Sequence, residues 1–249
     1  MTIAASALGG LIAGSFLNVV IARLPRGESL VRPRSRCAHC GAPVRAYDNV
    51  PVVSWLLLRG RCRDCGTAIS ARYPLVEALT AVLCVAVVAA KGADEDALPG
   101  LALVLVLVPV AFIDLQHRII PNRLVLAGAV AAVALVALAE PGDLPEHLIA
   151  GAAAGGFLLL ALLAYPRGMG MGDVKLAGMM GLYLGAAVAP AMLAAFLSGT
   201  LVGLAVIARK GPREGRKTAV PFGPFLALGA LVGLFAGPEL IHWYSDTFL

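Results

Sequence analysis

Apolar residues in this chain come in long blocks separated by polar loops, not at the spacing of a half-buried surface helix. A membrane-crossing helix needs about 20 mostly apolar residues to span a hydrocarbon core of ~30 Å. Eight such runs are predicted, at 3–22, 74–91, 98–113, 121–139, 146–165, 173–188, 190–208 and 221–241. The sixth and seventh are short and meet at Pro190, where a hinge is expected. The first run precedes Arg23 and Arg26, the reverse of a removable signal peptide, whose positive charges come first. It is therefore expected to stay as an uncleaved helix with its N-terminus outside.

The loops sort by charge. Counting inward from that first helix, the inside loops are 23–73, 114–121, 166–172 and 209–220. With the adjoining Arg123 and Lys175 they hold 19 of the 20 Lys and Arg residues. Only Lys91 falls outside, beside Asp94, Glu95 and Asp96, and the other outside loop carries Glu140, Asp143 and Glu146. That split is what the positive-inside rule requires, and it predicts both chain ends outside.

Small residues recur four apart at Gly10/Gly14, Gly151/Gly155, Gly181/Gly185, Gly199/Gly203 and Gly229/Gly233/Gly237. In lipid such stripes let helix backbones approach closely, so they are expected to be packing faces.

Composition agrees with the blocks. Hydrophobic residues make up 59% and charged residues 14%, with a mean hydropathy of +0.86. A soluble domain carries nearer a quarter charged residues, so the fold class is an all-α polytopic membrane protein. The net charge of +5 could suggest nucleic acid. Here membrane orientation and anionic lipid headgroups explain it, so lipids are the expected partner and nucleic acid is not.

One long polar loop, 23–73, interrupts the apolar pattern. It contains Cys37-Ala-His-Cys40 and Cys62-Arg-Asp-Cys65, with 21 residues between the pairs. Each CxxC offers two sulfurs on one tight turn, and Gly41 and Gly66 follow to permit it. Four thiolates on an inside, reducing face favour a structural zinc site over two disulfides or a redox pair. A closed four-sulfur site has no open position for substrate water, so this metal would shape the loop and leave the chemistry to other residues. Cys84 reads as inert core. His39 lies within the first pair, His117 in an inside loop, and His147 and His242 outside, solvated. There is no HExxH helix and no evident Ser-His-Asp arrangement.

Two carboxylates stand out: Asp114 at the inner end of the third run and Asp173 at the start of the sixth. Glu77, at the inner end of the second, is the nearest rival. Ionisable groups at such depths are costly and tend to face protein or water. Asp173 could equally be a first-turn acid favoured by the helix dipole. Two aspartates within a few ångströms of each other would share a proton. One could then draw a proton from water while the other polarises a peptide carbonyl. Gly170 and Gly172 suit a close approach to a partner helix or an extended substrate. Lys175 lies about 200° around the helix from Asp173, facing away. The residues alone leave three readings: an aspartic membrane protease, a membrane anchor whose zinc ribbon recruits a partner, and a transporter with a proton relay.

The ordered motifs GSFLNVVIARLP, the two CxxC pairs, YDNVPVVSWLLLRGRCRDC, ISARYPLVEALTA, FIDLQHRIIPN, GMGDVKL and VPFGPFLALGA resemble the prepilin leader peptidase (type IV leader peptidase/N-methyltransferase) family over most of the chain. The resemblance implies catalytic aspartates at Asp114 and Asp173 and type IV prepilin or pseudopilin precursors as substrates. It implies removal of a basic leader at the cytoplasmic face of the bacterial inner membrane. Members with the long first loop are similar to bifunctional enzymes that methylate the new N-terminus with S-adenosylmethionine; shorter members are peptidases only. The implied domain plan is helix 1–22, zinc loop 23–73 as methyltransferase region, and peptidase core 74–249. Asn122 departs from the Asp that many relatives carry there. No Rossmann-type glycine loop marks a methyl-donor site. Asn49, Trp55 and Arg72 lie in matched segments and are as readily explained by the loop's own fold.

Overall fold

The computed structural model describes residues 2–92, 96–166, 169–215 and 218–248. Its helices are α1 (Ile3–Arg23), α2 (Val53–Leu57), α3 (Arg72–Lys91), α4 (Ala97–His117), α5 (Asn122–Ala139), α6 (Leu144–Ala164), α7 (Met171–Leu184), α8 (Val188–Lys210), α9 (Pro212–Gly215) and α10 (Gly223–Phe248). Among the described residues no strand forms beyond two isolated bridges, Arg36 with Pro43 and Arg61 with Ala68. The chain divides into two compact units, Met1–Ala97 and Leu98–Leu249.

In the first unit α1 packs on α3 through the expected glycine stripe. A Cβ on Gly10 would stand 2.6 Å from Ala81 Cα, and one on Gly14 would stand 2.7 Å from Glu77 Cα. Only a residue without a side chain allows two helices that close, which is how small residues replace the missing hydrophobic drive in lipid. Cys84 is buried in this interface, as core.

The second unit repeats the device. Gly181 of α7 lies against Ala150 and Gly151 of α6, and Gly229 and Gly233 of α10 lie against Ala187 and Ala191. Gly203 is the exception, with nothing near the position of a Cβ.

Seven segments of the described residues are long and apolar enough to cross a membrane. The 40-residue Met171–Lys210 counts once and contains the sixth and seventh predicted runs. Its break is at Gly185, where φ is +54°, and not at the expected Pro190. Proline in the first turn of α8 costs nothing, because that N–H has no helical partner to lose. A left-handed glycine, in contrast, stops α7 after 14 residues. The backbone groups freed at the break are met by α6. The Ala186 N–H donates to Glu146 Oε1 at 3.0 Å, and His147 Nδ1 lies 2.9 Å from the Leu182 carbonyl. His147 is therefore half-buried and engaged, not solvated as the sequence suggested.

Candidate active site and metal centre

Asp114 lies in the last turn of α4. The helix closes just beyond it at Arg118, whose φ is +55° and whose N–H still reaches the Asp114 carbonyl at 2.8 Å. The side chain is buried at 5% exposure, and its Oδ2 accepts the Gly223 N–H at 2.8 Å. Gly223 is the first residue of α10, so the carboxylate sits on the positive end of a helix, where unpaired N–H groups favour an anion. Phe222, just before it, stacks on Phe196 of α8 at 5.7 Å between ring centres, which fixes how α10 begins.

Asp173 is the third residue of α7 and is also buried, at 8% exposure. Its Oδ2 accepts the Gly170 N–H at 3.0 Å, while its own N–H donates to the Gly170 carbonyl at 3.1 Å. This reciprocal closure is the logic of a capping box, with the acid reaching back to the residue before the helix. The reading of Asp173 as a first-turn acid is thus correct for the backbone. The fold also packs the turn that carries Asp173 against the segment that follows Asp114 on α4. Gly172 serves that packing. A Cβ there would come 2.9 Å from Ile120 Cβ, so the glycine admits the segment that follows α4.

Lys175 points out and donates from Nζ to Asn122 Oδ1 at 3.0 Å, tying the start of α5 to α7. Asn122, the departure from the family pattern, thus keeps an acceptor for that lysine. His117 is exposed at the end of α4 and is not drawn into the aspartate pair.

The cysteine loop folds as two matching knuckles. The Cys37 N–H donates to the Ala42 carbonyl and the Cys62 N–H to the Thr67 carbonyl, both at 2.8 Å. The Gly41 and Gly66 N–H groups return to the Cys37 and Cys62 carbonyls, both at 2.9 Å. Gly41 and Gly66 have φ of +73° and +71°, the left-handed conformation each turn needs. The four sulfurs of Cys37, Cys40, Cys62 and Cys65 lie within 4.8 Å of one another and form a group that could hold a metal ion. Cys37 Sγ and Cys65 Sγ are 3.8 Å apart. That matches the edge of a tetrahedron with zinc–sulfur bonds of about 2.3 Å, roughly 3.8 Å.

The thiols are not equivalent. The Thr67 hydroxyl and N–H hold Cys65 down to about 6. Cys40, although the Ala42 N–H favours its thiolate, is pushed up to about 11 by local desolvation and the neighbouring thiols.

Two ion pairs brace the knuckles. Arg63 makes a forked contact with Asp48, at 2.6 Å from Nη2 to Oδ1 and 2.9 Å from Nε to Oδ2. The Arg63 side-chain bond holds the Asp48 carboxyl below its ordinary value. Arg45 pairs with Asp64 at 3.1 Å. These two acids, which could have met a basic substrate, are engaged by arginines of their own loop. Trp55 donates from Nε1 to the Ile69 carbonyl at 3.1 Å, and its ring lies under Gly60, so it is structural.

Comparison with known proteins places this arrangement. Residues 8–91 match the Bacterial Peptidase A24 N-terminal domain, and residues 101–207 match the Type IV leader peptidase family. A prepilin leader peptidase/N-methyltransferase of Myxococcus xanthus is 43% identical over 94% of this chain and 72% of its own length. Proteins of the same name from Aeromonas hydrophila and Legionella pneumophila are 37% and 34% identical, each over 97% of this chain and over 93% and 94% of their own lengths. The chain belongs to the type IV leader peptidase family. No solved structure matches it. The family, the helical membrane fold and the peptidase reading expected from the motifs are all borne out, and the anchor and transporter readings are not favoured. Among the features of this leader peptidase that residue reasoning missed, Gly223 is the main one. The VPFGPF segment stands out as a motif, but nothing local in it reveals a partner 109 residues away.

Proposed function

We propose that this family member is an aspartic endopeptidase in which Asp114 and Asp173 are the catalytic pair. It removes the basic leader of type IV prepilin-like or pseudopilin precursors at the cytoplasmic face of the bacterial inner membrane. The observation that carries the reading is the pair itself: two buried carboxylates on α4 and α7, each with one oxygen held by a backbone N–H. Those bonds orient the groups and leave the second oxygen of each for water or the scissile carbonyl. One carboxylate takes a proton from water as water attacks the peptide carbon. The other, protonated, hydrogen-bonds the carbonyl oxygen and stabilises the charge that develops on it. The proton then passes to the leaving amine as the C–N bond breaks.

The charge sorting of the loops supports an orientation with both chain ends outside and the cysteine loop and aspartates inside. Cys37, Cys40, Cys62 and Cys65 would hold zinc, which supplies a rigid cross-link and no chemistry. Cys37→Ser is expected to lower bound zinc from one equivalent to near none by elemental analysis, with the protein still membrane-inserted. A full equivalent in that variant would refute the ligand set.

The relatives' shared name supports a second activity, methylation of the newly exposed N-terminal amine, with loop 23–73 as its region and 74–249 as peptidase core. S-adenosylmethionine would supply the methyl group. Since no strand forms among the described residues, a donor site here would be built from helices and knuckles and not from a Rossmann sheet. The N-terminal mass of a co-expressed prepilin reads both steps. A product shortened to its mature N-terminus and carrying one methyl is expected; shortened but unmethylated product would identify a peptidase only.

A further inference from the structure

α2 carries three strongly exposed apolar side chains, Val53, Leu56 and Leu57, at 50%, 60% and 78% exposure, beside Val50 at 47%. The opposite side of this short helix faces inward through Ser54 and Trp55. An apolar ridge on a loop bearing ten arginines calls for a physical account.

The depth of α2 supplies one. Val52, the residue before α2, has φ of +61° and donates its N–H to Glu77 Oε2 at 2.7 Å. Glu77 is not at the water-facing tip of α3. Leu75, two residues earlier, is exposed and apolar, and Leu79, two residues later, is exposed as well. On α1 the same level is marked by Gly14, in contact with Glu77, and by exposed Phe16. From Ser15, which also reaches the Glu77 carboxylate, to Arg23 is eight residues, or about 12 Å of helix. The headgroup layer is only about 5–8 Å thick on each side. On α3 Glu77 is five residues, about 7.5 Å, from Arg72, so the two helices together put the Val52 amide at the inner boundary of the headgroup layer, level with exposed apolar side chains of both.

At that boundary water is scarce, and a non-helical N–H is best satisfied by protein. Glu77 does so, and this accounts for a buried carboxylate that the hydrolytic chemistry does not use. We infer that residues 50–58 form a re-entrant element that dips into the membrane interface, with Val53, Leu56 and Leu57 in contact with lipid acyl chains and Glu77 as its tether. The arginines that follow, Arg59 and Arg61, are exposed and match anionic headgroups at the return to water.

The test uses the full-length protein in anionic vesicles of phosphatidylglycerol and phosphatidylethanolamine. A spin-labelled unnatural amino acid at position 57 leaves the five native cysteines untouched, and one at Val31, exposed at 80%, is the aqueous reference. The label at 57 is expected to collide several-fold more with oxygen than with a water-soluble nickel chelate, while position 31 shows the reverse. In Glu77→Ala the label at 57 is expected to move towards the aqueous pattern, with membrane insertion and bound zinc retained. A label at 57 that matches position 31, or that is shielded from both quenchers by protein, overturns the lipid contact. An unchanged oxygen-dominated signal in Glu77→Ala overturns the tether.

Discussion

Asp114→Asn and Asp173→Asn should each stop leader removal, with a fall in cleavage rate of at least about 10²–10⁴-fold, the usual contribution of a positioned acid or base. Asparagine keeps the size of the side chain and an oxygen able to accept from Gly223 or Gly170, so the helix ends are expected to stay as they are. What it loses is the ability to take or give the proton. Neither variant should rescue the other, since the two groups act in one step, and the double variant should be no worse than either single one. The measurement is the mass of a co-expressed prepilin, with membrane insertion and zinc content as controls. Normal processing in either single variant would remove the pair from the mechanism.

Gly223→Ala carries the second large effect, and it tests geometry where the asparagine variants test chemistry. The added methyl would stand 2.7 Å from Asp114 Oδ2 and 3.1 Å from its Cβ, so the carboxylate or the start of α10 must move. A hydrogen bond to a charged group contributes about 1.5–3 kcal/mol. Its loss alone corresponds to roughly a 10- to 150-fold slower reaction, and misplacement of Asp114 adds to that. Gly203→Ala is the matched control, because nothing lies near its Cβ position. Cleavage is expected to fall in Gly223→Ala and to stay near wild type in Gly203→Ala. Equal activity in both would show that the α10 N-terminus has no part in positioning Asp114.

Much of this architecture could be read from residues because lipid restricts the possibilities. Apolar runs and glycine stripes each follow from one physical demand, and the structure folds the runs as helices that pack through all of those stripes except at Gly203. The cysteine knuckles were legible for the same reason, since a CxxC turn followed by glycine has few ways to fold. The failures lie where the outcome depends on a distant contact. The break at Gly185 competes with a visible proline five residues on, and is decided by Glu146 and His147 of another helix. Asp48 and Asp64 are held by arginines 15 and 19 residues away, pairings that no local pattern reveals. Gly223 belongs to a motif whose purpose appears only when α10 meets α4.

That meeting has a consequence for how the protein is made. Asp114 is carried by α4, Asp173 by α7, and the amide that holds Asp114 is synthesised after both, 109 residues behind Asp114. A partly synthesised chain can therefore contain both acids and still lack the geometry to use them. If the pair is catalytic, cleavage is expected to be slow until α10 docks and supplies that amide.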